Sequence, residues 1–225
     1  KVAEDAPGNH RIFQLYVRGD DAWVDDFAVR AIACGYTAFC MTVDLDYYGR
    51  RERDIAKGHM STSRRTMATG EDYQKSLSWD QVKRFKDTHD IPLALKGIAT
   101  AEDAGRAVEL GVEGIYVSNH GGRQLDHGRG SIEVLPEVVK EVGGRAEVIV
   151  DGGICRGTDV VKAMALGAEA RQGLFHDHRA AQPVDLWALR DRDLEPAGLG
   201  QRGDPVGGGH GCGGRIDGDI GWIKG

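Results

Sequence analysis

Cysteine is scarce in this sequence. The 225 residues include four, Cys34, Cys40, Cys155 and Cys212, without C-x-x-C spacing or any pattern that reads as a disulfide framework. A structural metal is therefore not expected, and a reducing compartment is. Long apolar runs are missing as well: none approaches the roughly 18–20 residues that span a bilayer. The N-terminus, Lys1-Val2-Ala3-Glu4, lacks the apolar core of a signal peptide. The expectation is a soluble cytoplasmic protein with no membrane segment. There is no long basic face either, because 29 Lys and Arg are interspersed with 35 Asp and Glu for a net charge of −6, which sets nucleic acid aside as a partner.

What is present is an alternation of short apolar runs with amphipathic segments. Arg11 to Tyr16 reads as a strand, and Val24, Phe27, Ala28, Ala31 and Ile32 then fall at helical spacing before Gly35. Tyr36 to Asp44 is the next strand, and Ser78-Trp79-Asp80-Gln81 has the form of a capping box opening a helix through Val82 and Phe85. Ile91 to Lys96 is a strand, Thr100 caps a helix that runs to Gly111, and Gly114 to Asn119 is a strand again. Ser131 to Val142 is helical, Ala146 to Asp151 is a strand, and Thr158 to Leu166 is a helix closed by Gly167. Near-continuous apolar strands separated by helices predict parallel pairing with both faces covered.

Two folds satisfy that pattern, and the polar residues choose between them. Five strands end in residues suited to chemistry: Gln14 and Tyr16, Thr42 and Asp44, Lys96, Ser118 through Arg123, and Asp151-Gly152-Gly153. An α/β barrel collects all its strand C-termini at one face, whereas a doubly wound sheet gathers ligands at one switch point. The barrel is the expectation, although closed barrels usually take about 250 residues.

Six segments in order, FQLYVRGD, TAFCMTVD, GRRERDI, LALKGIATAEDA, YVSNHGGRQLD and VIVDGG with RGTDVVKAMALGA, make the stretch from Phe13 to Ala168 resemble the flavin mononucleotide (FMN)-dependent 2-hydroxy acid oxidases and dehydrogenases. This family includes glycolate oxidase, lactate oxidase and mandelate dehydrogenase. The resemblance implies FMN as cofactor and a (β/α)8 TIM barrel of which strands 3 to 7 are present. It also implies oxidation of a small (S)-2-hydroxy acid to the 2-oxo acid, with oxygen, a quinone or a cytochrome as electron acceptor, in a homo-oligomer. His120 matches the family's catalytic base, Asp44 its orienting carboxylate and Tyr16 the hydroxyl that hydrogen-bonds the substrate. Arg123 and Arg51 match the arginines that bind the substrate carboxylate, a job suited to two-pronged guanidinium donors. Gln14, Thr42, Lys96 and Ser118 match flavin-contacting positions, with Lys96 near the ring's pyrimidine edge. In this reading Gly121 and Gly122 let the backbone turn tightly, so that His120 and Arg123 share one pocket. No residue is assigned to a metal; His176 and His178 lack a third ligand in register.

The phosphate end of the flavin is expected over Asp151, Gly152 and Gly153, beside the helix opening near Gly157. Here the chain departs from the family pattern, with Cys155 where an arginine is expected, which leaves Arg156 as the nearest substitute. Domain organisation is read as a partial FMN-binding barrel over 1–170, followed by a Gly-rich tail over 171–225 that lacks the resemblance and is expected to be disordered or frame-shifted. Two other readings stay open: an inactive or partial remnant of such an enzyme, and a different FMN barrel such as an isopentenyl diphosphate isomerase or inosinate dehydrogenase relative. The His120, Arg123 and Arg51 set argues against the second, because carboxylate recognition is what those enzymes lack.

Overall fold

A computed structural model describes residues 10–45, 52–59, 73–125 and 127–171. Six parallel strands alternate with helices: β1 (Ile12–Tyr16), α1 (Asp21–Ala33), β2 (Ala38–Thr42), α2 (Glu52–Ala56), α3 (Trp79–Thr88), β3 (Leu93–Ile98), α4 (Ala101–Glu109), β4 (Gly114–Val117), a 3-10 turn at His120–Gly122, α5 (Ser131–Val142), β5 (Glu147–Val150), α6 (Gly157–Ala165) and β6 (Ala170–Arg171). The spatial order is β1-β2-β3-β4-β5-β6, the same as the order in sequence, and all five pairings are parallel. A doubly wound sheet would reverse its order at a switch point. A sheet that keeps adding strands on one side is instead the wall of a (β/α)8 barrel, with β1 and β6 at its ends.

Local chemistry explains the helix starts. Asp20 caps α1 by accepting a hydrogen bond from the Trp23 backbone N–H at 2.9 Å. Gln81 Oε1 accepts from the Ser78 N–H at 2.8 Å to open α3, and Thr100 Oγ1 accepts from the Asp103 N–H at 3.1 Å to open α4. Each bond satisfies a donor that the helix leaves without an internal partner.

The outer face of the sheet carries the main core. Phe13, Leu15, Phe39, Met41, Leu93, Leu95, Ile115, Val117, Val148 and Val150 pack there with Phe27, Val82, Phe85, Ala104, Leu135 and Val138 from the helices. The Phe39 and Phe85 rings lie 5.0 Å apart and fix α3 against β2, while Phe13 and Phe27 at 6.0 Å fix α1 against β1. Fully burying one such side chain contributes about 1.5–3 kcal/mol, so this layer supplies most of the drive to fold.

The five strands expected from the sequence are present, and the described residues add a sixth, because Ala170 and Arg171 pair with Ile149 and Val150. Two residues are too few to produce a period-two pattern. Their pairing becomes visible only through the sheet, where the Glu169 N–H donates to the Val148 carbonyl at 2.9 Å. The Gly-rich stretch from 172 onward, with His176, His178 and Cys212, lies outside the described residues.

Candidate active site

The inner face of the same strands has a different composition. Strand side chains alternate between faces, so Gln14 and Tyr16, Cys40 and Thr42, Ala94 and Lys96, then Tyr116 and Ile149 stand opposite the main core. Cys40, Ala94, Tyr116 and Ile149 form a small apolar cluster of their own with Ile12. Above that cluster a polar row crosses the sheet, because Tyr16 pairs with Thr42, Thr42 with Lys96 and Lys96 with Tyr116. Asp44, Ser118 and Asp151, each two residues further along its strand, lie beyond this row with His120.

Lys96 is the buried charge at the centre. Its Nζ donates to Ser118 Oγ at 2.9 Å, pairs with Asp151 Oδ2 at 3.1 Å and lies 4.9 Å from the centre of the Tyr116 ring. Gln14 Nε2 donates to Thr42 Oγ1 at 3.2 Å. Burial pushes the Cys40 thiol up to about 12, with Lys96 opposing the shift and Asp151 and Asp44 adding to it. Burial also drives the Tyr116 hydroxyl far above its ordinary value, and the negative charge of Asp151 drives it further. Both groups stay protonated at neutral pH.

His120 is held from three sides. Its Nδ1 lies 2.5 Å from Asp44 Oδ2, its Nε2 lies 3.4 Å from the Tyr16 hydroxyl, and its backbone N–H donates to Ser118 Oγ at 3.3 Å. An ionised carboxylate can only accept, so Asp44 requires the proton on Nδ1, and the neutral imidazole then offers the Nε2 lone pair towards Tyr16. The backbone of His120 has φ +53, a left-handed conformation that costs a residue other than Gly of order 1–3 kcal/mol. The turn around it resists relaxation. Asn119 Oδ1 accepts from the Gly122 N–H at 3.3 Å, Asn119 Nδ2 donates to the Arg129 carbonyl at 3.1 Å, and Gly121 and Gly122 both take positive φ. Sequence reading assigned Asn119 no role beyond its place at a strand end, and Tyr116 none at all. Tyr116 could have been found from its place two residues before Ser118 on the same strand face.

The predicted residues divide into a half-buried to buried group and an exposed rim. Tyr16, Asp44 and His120 meet in one cluster, and Lys96, Ser118 and Asp151 meet in the next. Arg123 is exposed, and its Nε donates to the His120 carbonyl of its own turn at 3.1 Å. Arg51 lies outside the described residues. Gly152 and Gly153 follow β5 with positive φ. At the opening of α6, Asp159 accepts the backbone N–H groups of Cys155 at 3.1 Å and Arg156 at 3.0 Å. The Cys155 N–H foremost, then that of Arg156, holds the Asp159 carboxyl below its ordinary value despite some desolvation. Those two N–H groups are thus committed to the helix's own acid, and an anion arriving there would meet Gly152, Gly153 and the exposed Arg156 first.

Among the described residues no group of His, Cys, Asp and Glu is placed to hold a metal, and no helix is long and apolar enough to cross a membrane. A buried lysine paired with an aspartate, beside a histidine bonded to a second carboxylate at the C-terminal ends of barrel strands, defines a barrel enzyme site. Residues 1–172 match the FMN-dependent dehydrogenase family, and the chain belongs to that family. It is 41% identical over 180 residues to the L-lactate oxidase of Nostoc sp., covering 70% of this chain and 49% of the relative. With the peroxisomal (S)-2-hydroxy-acid oxidase GLO4 of Oryza sativa subsp. japonica it shares 44% identity over 179 residues, 71% of this chain and 49% of the relative. A solved mandelate oxidase variant with the C4a-OH-FMN adduct superposes with a TM-score of 0.63 at 42% identity, over 73% of this chain and 49% of that one. The chain spans about half the length of the curated relatives it matches. FMN is the cofactor of the family, and the polar set fits such a group: Asp44 Oδ1 and Asp151 Oδ1 are buried without a hydrogen-bond partner, and the buried Lys96 ammonium lies beside Asp151 and Ser118.

Proposed function

We propose that this chain carries the catalytic half of an FMN-dependent (S)-2-hydroxy acid oxidase, with His120 as the base. The observation that carries the proposal is the 2.5 Å contact of Asp44 Oδ2 with His120 Nδ1, which leaves Nε2 as the proton acceptor. FMN, when bound, supplies a two-electron acceptor. The protein's own residues do the rest. His120 Nε2 takes a proton from the substrate, and the Asp44 carboxylate stabilises the imidazolium that forms. Tyr16 donates its hydroxyl hydrogen to the substrate's oxygen. Arg123 on the rim and Arg51 would bind the substrate carboxylate. Gln14, Thr42, Ser118, Lys96 and Asp151 would hold the flavin, and the ammonium of Lys96 would favour the added negative charge of the reduced ring. Gly152, Gly153 and Arg156 would receive the phosphate.

Substrates of the size of lactate, glycolate or mandelate are supported by the names of the relatives. Oxygen as acceptor is supported by the same names, and a homo-oligomer remains part of the proposal. A cytoplasmic location, expected from the sequence, stays part of the same proposal.

The test is a titration of the purified chain with FMN, followed by flavin fluorescence, with lactate, glycolate or mandelate then added anaerobically. Binding followed by bleaching of the flavin absorbance is the expected result. Binding without bleaching by any 2-hydroxy acid would exclude the proposed chemistry. No binding would favour the reading as a partial chain, for which coverage of about half of each relative is the supporting observation.

A further inference from the structure

Gly97 lies on β3 beside Lys96 at an irregularity of the sheet, where the register with β4 shifts between Lys96 and Ile98. Its φ is +113, a conformation that L side chains rarely adopt. A Cβ at this position would lie 2.4 Å from Asp44 Cγ, 2.5 Å from Asp44 Oδ1 and 2.6 Å from Asp44 Cβ, distances at which something must move. The backbone bearing Asp44 has little freedom to retreat. The Val43 N–H donates to the Lys96 carbonyl at 2.8 Å, tying the exit of β2 to β3, and Leu45 on the other side is 1% exposed. Asp44 Oδ1 is buried without a partner, as expected of a carboxylate held by packing against bare backbone rather than by a full set of donors.

We infer that Gly97 is a positioning residue for the Asp44–His120 pair: its missing side chain is the space that lets the Asp44 carboxylate lie against β3 and reach His120 Nδ1. The inference rests on the proposed role of His120 and deepens it, since it names a residue on another strand that sets the base through Asp44. Among the described residues the charged and titratable groups around His120 are Asp44 from the end of β2, Tyr16 from β1, Lys96 from β3 through Ser118, and Arg123 in the same turn. Of these, a side chain at 97 would displace Asp44 first.

The experiment is an NMR measurement of the His120 imidazole N–H signals in the full chain, comparing wild type, Gly97→Ala and Asp44→Ala. Asp44 Oδ2 accepts from Nδ1 in wild type, so a hydrogen-bonded Nδ1–H signal is expected there. With its carboxylate displaced, Gly97→Ala should lose that signal, as Asp44→Ala does. A folded Gly97→Ala that keeps the wild-type Nδ1–H signal would overturn the inference, whatever its thermal stability. Should Gly97→Ala fail to fold, Asp44→Gly decides, because it removes all three atoms in the way. Recovery of folding in the double variant supports the inference, and continued failure assigns the whole cost to the backbone at 97 and sinks it. The measurement requires neither FMN nor turnover, so a chain that binds no flavin still answers this question. The expected loss of the Nδ1–H signal with no 2-hydroxy acid oxidation would count against the proposed function alone.

Discussion

The two faces of one sheet use the same five well-formed strands for opposite purposes. On the outer face Leu95, Ile115 and Phe39 are fully buried among apolar neighbours, and every contact there lowers the free energy of the folded chain. On the inner face Lys96 is buried as an ion pair with Asp151, Asp44 Oδ1 and Asp151 Oδ1 lack partners, and His120 holds a left-handed backbone. Each of those features is costly in a protein interior. The difference teaches that the outer layer supplies the stability that lets the inner layer keep unfavourable groups in fixed positions, and that a group kept at such cost is a candidate for chemistry.

The sharpest break between the faces is expected at His120. His120→Gln removes the proposed base and keeps the size of the side chain, so turnover should fall by about 10²–10⁴-fold while FMN affinity and thermal stability stay near wild type. Near-normal turnover would show that the base lies elsewhere. The matching change on the outer face is Leu95→Ala, which opens a cavity at a fully buried position and should cost about 2–5 kcal/mol in urea unfolding. The folded fraction of that variant should bind FMN as wild type does; a large loss of affinity at full folding would mean that the two faces are not separable.

How far the faces could be read in advance differs for the same reason. Outer positions such as Phe13 and Leu15, or Phe39 and Met41, announce themselves by alternation, and the barrel order followed from polar residues ending each strand. The half-buried cluster of Tyr16, Asp44 and His120 was legible because it resembles a family's motifs. Other features were not. The strand at Ala170–Arg171 is too short to have a period, Asn119 acts through a turn that no pattern encodes, and the role of Gly97 depends on the approach of a residue 53 positions away in sequence, from 44 to 97. Arg123 was expected in the pocket because two glycines precede it, but the same flexibility lets its Nε bond back to the His120 carbonyl.

A smaller effect is expected where two outer helices meet. Arg84 of α3 pairs with Asp21 at 3.1 Å and also with Asp25, while the buried His89 ring places Nε2 2.7 Å from Asp25 Oδ1. Burial alone would raise the Asp25 carboxyl, but bonds from His89 and Arg84 outweigh it and hold the group below its ordinary 3.8. A carboxyl depressed on folding stabilises the protein above its unfolded pKa, and that contribution fades as pH falls through the lower folded value. Asp25→Asn should therefore cost on the order of 1 kcal/mol at pH 6 and progressively less as pH falls from about 3.8 downward. Urea midpoints measured from pH 6 to pH 2.5 test this, and a constant difference across that range would show that the clasp is not ionic.

Thiol chemistry should separate the interior of the site from its rim without changing stability at all. Cys40 is 2% exposed on the inner face, and burial raises its thiol to about 12, so at pH 8 it has almost no thiolate and no path to a reagent. Cys155 is exposed at the opening of α6. Because the thiolate is the reacting species and access controls its rate, a maleimide should label Cys155 in the native chain and reach Cys40 only after unfolding, as read by peptide mass mapping. The contrast also bears on the cofactor: if FMN phosphate settles near Gly152, Gly153 and Arg156, bound FMN should slow labelling of Cys155 and leave Cys40 unreactive as before. Labelling of Cys155 at one rate with and without bound FMN would place the phosphate away from α6, and fast native labelling of Cys40 would mean that the inner face opens to solvent.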